Sequence, residues 1–352
     1  MRITNFVVAA AIGAGLVVGP AFQPAGSTAR AAEVDGPKVT WQVSLWGKRR
    51  ALSEGIEKMA EYVGEKTDGN FKIDIRYGGL AGPTENLEGV EADAFASALI
   101  CTSFATGKLP ALSGLELPFL PVDSIDQRKQ VFETYLKHPA VVAELEKWNA
   151  VPLFAAVLPN YAAMGRGEAP KKLNDFEGMR MNSTGQVAEA MKLLGASVSS
   201  VTPPELYQSM ERGVMDAVVY PFSSTFFAYR INELSDWYTT NFHPGTGVCL
   251  MIANKGEYEG LPDQYKKLLQ DGKDGAYQAM IDQYKADDAK NVPVLEKDGV
   301  EAVTFDEETL KAFQDKAAKP IWEAWVKARD AQGLPGQDLL DTILKAANDT
   351  KQ

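Results

Sequence analysis

The sequence predicts an α/β protein of two domains on one chain, and three observations carry that expectation. Apolar residues recur first with period two, then at helical spacing, then with period two again, which is the signature of a strand–helix–strand unit. The length of 352 residues corresponds to about two domains at roughly 100–200 residues each. The composition is 45% hydrophobic and 24% charged, with 30 Gly and 19 Pro, which excludes disordered and collagen-like chains. Two domains imply a cleft between them.

The N-terminus reads as an address. Arg2 precedes an apolar run from Phe6 to Val18, and small residues at Ala29-Arg30-Ala31 form an A-x-A cleavage pattern. A run of about 13 apolar residues is too short to span a bilayer, so residues 1–31 are expected to be a secretory signal peptide. The remaining chain, 32–352, is expected to be soluble and periplasmic.

Lys38 to Leu45 sets Val39, Trp41, Val43 and Leu45 against polar neighbours and predicts a first strand. Leu52, Ile56, Met59 and Val63 predict a helix that stops at Thr67-Asp68-Gly69-Asn70, and Phe71–Tyr77 alternates again. A loop at 78–83, a short helix over 85–90 and a buried strand over 96–101 follow. Further helices are expected over 124–135 and 140–148, and a strand over 150–157. Beyond Asn182-Ser183-Thr184-Gly185 a helix buries Val187, Ala190, Met191 and Leu194 and closes at Gly195. A helix over 205–212, a strand over 214–220 before Pro221, and helices over 263–284 and 307–328 complete the pattern.

The chemistry-bearing residues are sparse. Net charge is −11, or −13 once Arg2 and Arg30 are removed, so the surface repels nucleic acid and anionic lipid. With 2 His, at 138 and 243, triads and zinc sites are poorly supplied. Gly78-Gly79-Leu80-Ala81-Gly82 matches neither a P-loop nor a dinucleotide fingerprint. No cofactor or metal is expected. Cys101 and Cys249 are able to pair in an oxidising compartment, but two buried free thiols are the expectation, since sequence cannot bring their Cα atoms within bonding range. Aromatics concentrate between Tyr207 and Phe242; most belong to a core, while Tyr220-Pro221-Phe222 at a strand end suits the wall of an organic ligand site.

Taken in order, several motifs resemble the DctP family of solute-binding proteins of tripartite ATP-independent periplasmic (TRAP) transporters. They are Val63-Gly64-Glu65-Lys66-Thr67-Asp68-Gly69, Gly78–Gly82, Leu117-Pro118-Phe119-Leu120, Asn174–Arg180, Lys192–Ala196, Pro204-Glu205-Leu206-Tyr207 and Glu211–Ala217. The resemblance implies a two-lobed periplasmic binding protein fold with crossovers between lobes and a long helix in the C-terminal half. Approximate boundaries are 32–159 with 248–287 for lobe I and 160–247 with 288–352 for lobe II. It implies a monomeric receptor without catalysis, which encloses a small organic solute and delivers it to TRAP membrane permease subunits. A secreted carboxylate-dependent hydrolase is the alternative class.

One departure from the family bears on the ligand. Members usually carry Gly-Leu-Lys-Ile-Arg, whose Arg clamps a ligand carboxylate; here the run is Gly178-Met179-Arg180-Met181-Asn182, with Asn182 at the clamp position. The family's second Arg would fall near Ala162, with Arg166 close by. A ligand that is neutral, zwitterionic, cationic or aromatic is therefore expected, because a buried carboxylate without a cation is costly. The other reading is an organic acid held by Arg180 as a displaced clamp. By position in the resemblance, the lining candidates are Trp46, Cys101, Thr102, Asn182, Pro203 and Tyr220, with Phe222 beside them.

Overall fold

A computed structural model describes residues 33–105 and 107–350; the expected signal peptide lies outside the described residues. In chain order the elements are β1 (Val39–Leu45), α1 (Glu54–Lys66), β2 (Phe71–Tyr77), α2 (Asn86–Glu91), β3 (Ser97–Cys101), α3 (Ile125–Tyr135), α4 (Pro139–Lys147) and β4 (Ala150–Ala155). There follow β5 (Tyr161–Gly165), β6 (Arg180–Asn182), α5 (Gly185–Leu193), β7 (Ser197–Ser199), α6 (Leu206–Glu211), β8 (Ala217–Pro221) and β9 (Trp237–Thr239). The chain ends with β10 (Cys249–Asn254), α7 (Lys255–Glu259), α8 (Asp263–Asp271), α9 (Lys273–Asp298), β11 (Glu301–Val303), α10 (Glu307–Ala331) and α11 (Gly336–Asp349).

These strands make two sheets, ordered β2-β1-β3-β10-β4 and β11-β9-β5-β8-β6-β7. In the first sheet β1 runs parallel to β2, Val39 facing Phe71 and Leu45 facing Tyr77, as the two alternating patterns require. Trp41, Val43 and Leu45 are buried on one face of β1, and the helical stripe Ile56, Met59 and Val63 of α1 is buried too. Parallel strands need such a crossover helix, so this unit follows directly from the pattern. The chain leaves the first sheet through residues 156–160 and returns through 240–248. Helix α9 packs on α1 and on a π-helical turn at Phe222–Phe227. At 26 residues it is long enough, about 39 Å at 1.5 Å per residue, to run past both sheets.

Two expectations are corrected, and one element was not foreseen. The helix expected over 263–284 is two helices joined at Gly272, where a Cβ would come within 2.7 Å of the Met59 sulfur; glycine lets this joint seat on α1. Helix α11 was not foreseen; it buries Leu339, Leu340 and Ile343 and packs on α3. The cysteines are not free thiols: β10 lies antiparallel to β3 with Cys249 opposite Cys101, and at a Cα separation of 4.0 Å they are bonded. That pairing joins residues 148 apart in sequence through a strand register that local patterning does not encode. Among the described residues no helix is long and apolar enough to cross a membrane.

Candidate functional site

Strand ends from both sheets converge on one pocket. Trp46 follows β1, Cys101 ends β3, Tyr161 opens β5, and Tyr220 and Pro221 end β8. With Arg50, Ser103, Phe104, Pro203, Ser224 and Tyr229 they line a narrow space. Sheets of this class bind ligands beyond strand ends, because side chains there are fixed by the sheet while the adjoining loops are free to vary. The walls are aromatic: Tyr161 stacks on Tyr220 with centroids 5.7 Å apart, and Trp46 meets Phe104 edge-on at 5.4 Å. Burial pushes the hydroxyls of Tyr161, Tyr220 and Tyr229 above the usual tyrosine range, so all three stay neutral at physiological pH.

The cation in this pocket is Arg50. Only 8% exposed, it lies over the Trp46 ring at 4.3 Å. Its Nη1 donates to the carbonyls of Trp46 and Lys48 at 3.2 and 2.7 Å. Among the described residues its Nη2 is buried with no hydrogen-bond partner, as are Trp46 Nε1 and the Tyr229 hydroxyl. Gly47 permits this arrangement: it has φ +76°, and a Cβ there would come within 2.4 Å of the Tyr229 oxygen.

Of the residues foreseen from sequence, Trp46, Cys101, Pro203 and Tyr220 line the pocket. Thr102 sits just behind, its hydroxyl donating to Glu116. Asn182 is fully buried and does not line the pocket; its Oδ1 accepts from the Tyr220 hydroxyl at 2.9 Å, so it positions that ring. Arg180 lies elsewhere: it is exposed and paired with Asp216 at 2.5 Å, with Arg166 reaching the same carboxylate at 3.8 Å. Phe222 begins the π-helical turn and packs on Phe226, Phe227 and Tyr238, outside the lining. Arg50, Tyr161 and Tyr229 were missed. The available signal for Arg50 was a glycine after a strand end followed by Lys48-Arg49-Arg50.

A larger opening of about 1070 Å³ has Arg128 on its wall, but that guanidinium is engaged by Leu158 O at 2.7 Å and Asn160 Oδ1 at 2.6 Å. It braces the 156–160 crossover. Beside the smaller pocket, Glu116 is buried and accepts from Thr102; burial pushes its carboxyl up to about 7.

Two α/β sheets joined by crossovers, with an aromatic pocket where their strand ends meet, define a two-lobed solute-binding protein. The chain belongs to the DctP family, bacterial extracellular solute-binding protein family 7, whose model matches residues 43–328. It is an extracellular solute-binding receptor, and this family is one of receptors. A monocarboxylate 2-oxoacid-binding periplasmic protein of Nostoc sp. is 24% identical over 311 residues, 82% of this chain and 84% of that protein. A marine metagenome TRAP solute-binding protein specific for aromatic acids, solved with 3-hydroxybenzoate, has TM-score 0.81 and 19% identity, covering 90% of this chain and all of the other. One from Rhodoferax ferrireducens, solved with benzoate, has TM-score 0.79 and 18% identity, covering 89% of this chain and 98% of the other.

Proposed function

We propose that the chain, exported by cleavage after residue 31, serves in the periplasm as the monomeric receptor of a TRAP transporter. Residues 32–159 with 248–287 close against 160–247 with 288–352 on a small organic solute, which is then delivered to the membrane permease. One observation carries this reading: the pocket takes its walls from strand ends of both sheets, so a bound solute touches both and favours their approach. Trp46, Tyr161 and Tyr220 supply flat surfaces for a compact apolar or ring-bearing body. The 2-oxoacid, 3-hydroxybenzoate and benzoate in the names of related proteins are all small organic acids, and they support that class here. The Asn182 side chain is engaged by Tyr220 and Ser199 and supplies no cation, so an acid bound here needs its charge met by another group.

A thermal-shift screen of organic acids, amines, polyols and zwitterions, followed by calorimetry, tests the reading. One-to-one binding that Tyr220→Ala and Trp46→Ala both weaken at least about tenfold is expected, each deletion removing a buried aromatic wall. Unchanged affinity in both variants, or turnover of any bound compound, would overturn it.

A further inference from the structure

We infer that Arg50 is the group that selects the solute, binding the carboxylate of a monocarboxylic acid from the first-sheet side of the pocket. This rests on the receptor reading above and adds to it the atom that reads the ligand's charge. Arg49 and Arg50 are adjacent but differently placed. Arg49 is exposed and pairs with Glu54 at 2.7 Å. Arg50 is buried, and among the described residues it has no ion pair; Glu54 and Asp287 border the surface groove on its other side without pairing with it. Its Nη1 is satisfied by backbone carbonyls, while Nη2 is buried and has no partner.

A buried guanidinium without a counter-charge costs several kcal/mol, and a polar donor left unpaired adds to that cost. Trp46 and Tyr229 line the same pocket, and among the described residues Trp46 Nε1 and the Tyr229 hydroxyl also have no partner. Donors thus gather on one side of a pocket whose lining contains no carboxylate. The complement of one fixed cation and neighbouring N–H and O–H donors is a single anionic group with acceptor oxygens on both sides. The remaining polar lining, Ser103, Ser224 and Thr225, is neutral. A second carboxylate on the ligand would therefore be buried without a cation, which sets monocarboxylates apart from dicarboxylates. The Trp46 ring under the guanidinium and the Nη1 bonds hold the fork before the ligand arrives, so little side-chain entropy remains to be lost on binding.

The test is calorimetry on the purified exported chain with benzoate, 3-hydroxybenzoate and pyruvate, each against its amide, and with isophthalate as the dicarboxylate. At least one monocarboxylate is expected to bind more tightly than its amide and than isophthalate. Arg50→Gln should weaken it by roughly 10- to 150-fold, the range of a hydrogen bond to a charged group. Arg50→Lys should lose less, and Arg180→Ala should lose nothing measurable. Should Arg50→Gln fail to fold by circular dichroism, Trp46→Phe and Tyr229→Phe each delete one donor, and each should weaken the acid more than its amide, because a hydrogen bond to a charged acceptor is the stronger one. Acid affinity unchanged in Arg50→Gln, or in both donor-deletion variants, overturns the inference, as does a wild-type chain that binds no monocarboxylate or prefers the amide. If Tyr220→Ala and Trp46→Ala still weaken the bound solute in that case, the receptor reading stands alone; if they do not, both fall.

Discussion

At the level of single residues, Tyr220 separates positioning from binding. Its hydroxyl meets Asn182 Oδ1 at 2.9 Å behind the pocket, while its ring stacks on Tyr161 and lines the pocket. Tyr220→Phe keeps the ring and strips a buried acceptor of its donor, so stability should fall by about 1–2 kcal/mol with affinity within a few-fold of wild type. Urea denaturation beside calorimetry reads the two effects separately, and a large affinity loss in the Phe variant would mean that the hydroxyl itself faces the solute. Gly47 is the converse case. Its left-handed backbone costs a non-glycine residue about 1–2 kcal/mol, and an added methyl meets the Tyr229 hydroxyl. Gly47→Ala should therefore lower both melting temperature and solute affinity, whereas at Gly64, where a Cβ meets nothing within 4 Å, the same change should leave affinity intact.

At the level of elements, Glu116 joins the turn after β3 to the start of α5. It accepts from Thr102, and a Cβ on Gly185, the first residue of α5, would come within 2.2 Å of its Oε2. Burial raises its carboxyl to about 7, above the ordinary carboxylate value that it recovers on unfolding. The folded chain therefore binds this proton more tightly than the unfolded chain, and the contribution is complete below about pH 4.5. Stability should decline as pH rises from there to about 7 and then level off, by at most about 3.5 kcal/mol at 1.36 kcal/mol per pH unit. Glu116→Gln should flatten that part of the profile in denaturation between pH 5 and 8; an unchanged slope would assign it to other groups. Elements with long, regular patterns were legible in the sequence: β1, α1 and β2 are where alternation and helical spacing put them. Strands such as β6, β9 and β11 have three residues each, too few for a period to register. The pocket was half legible for a related reason. Trp46 and Tyr220 sit at recognisable strand ends, but what sets Arg50 apart is that its Nη2 has no partner among the described residues, and that is a property of the folded surroundings.

At the level of the whole molecule, the disulfide and the solute constrain different states. Cys101–Cys249 closes a loop of 148 residues, restricting the unfolded chain, and its loss should cost about 2–5 kcal/mol. Cys101→Ala with Cys249→Ala is expected to lower the urea midpoint with little change in the native far-ultraviolet spectrum. The solute acts on the native state: at 100 times its dissociation constant it should add about 2.7 kcal/mol of stability. Because the pocket's walls come from both sheets, a solute that fills it is expected to bear on how closely they approach. Residues 156–160 and 240–248 connect the two sheets, and Arg128 braces the first of these connections. Small-angle scattering should therefore show a smaller radius of gyration with saturating solute, and the change should vanish in Tyr220→Ala at the same solute concentration. A solute that binds tightly and raises the melting temperature while leaving the radius unchanged would mean that both sheets already hold their bound spacing, and that binding does not close the lobes.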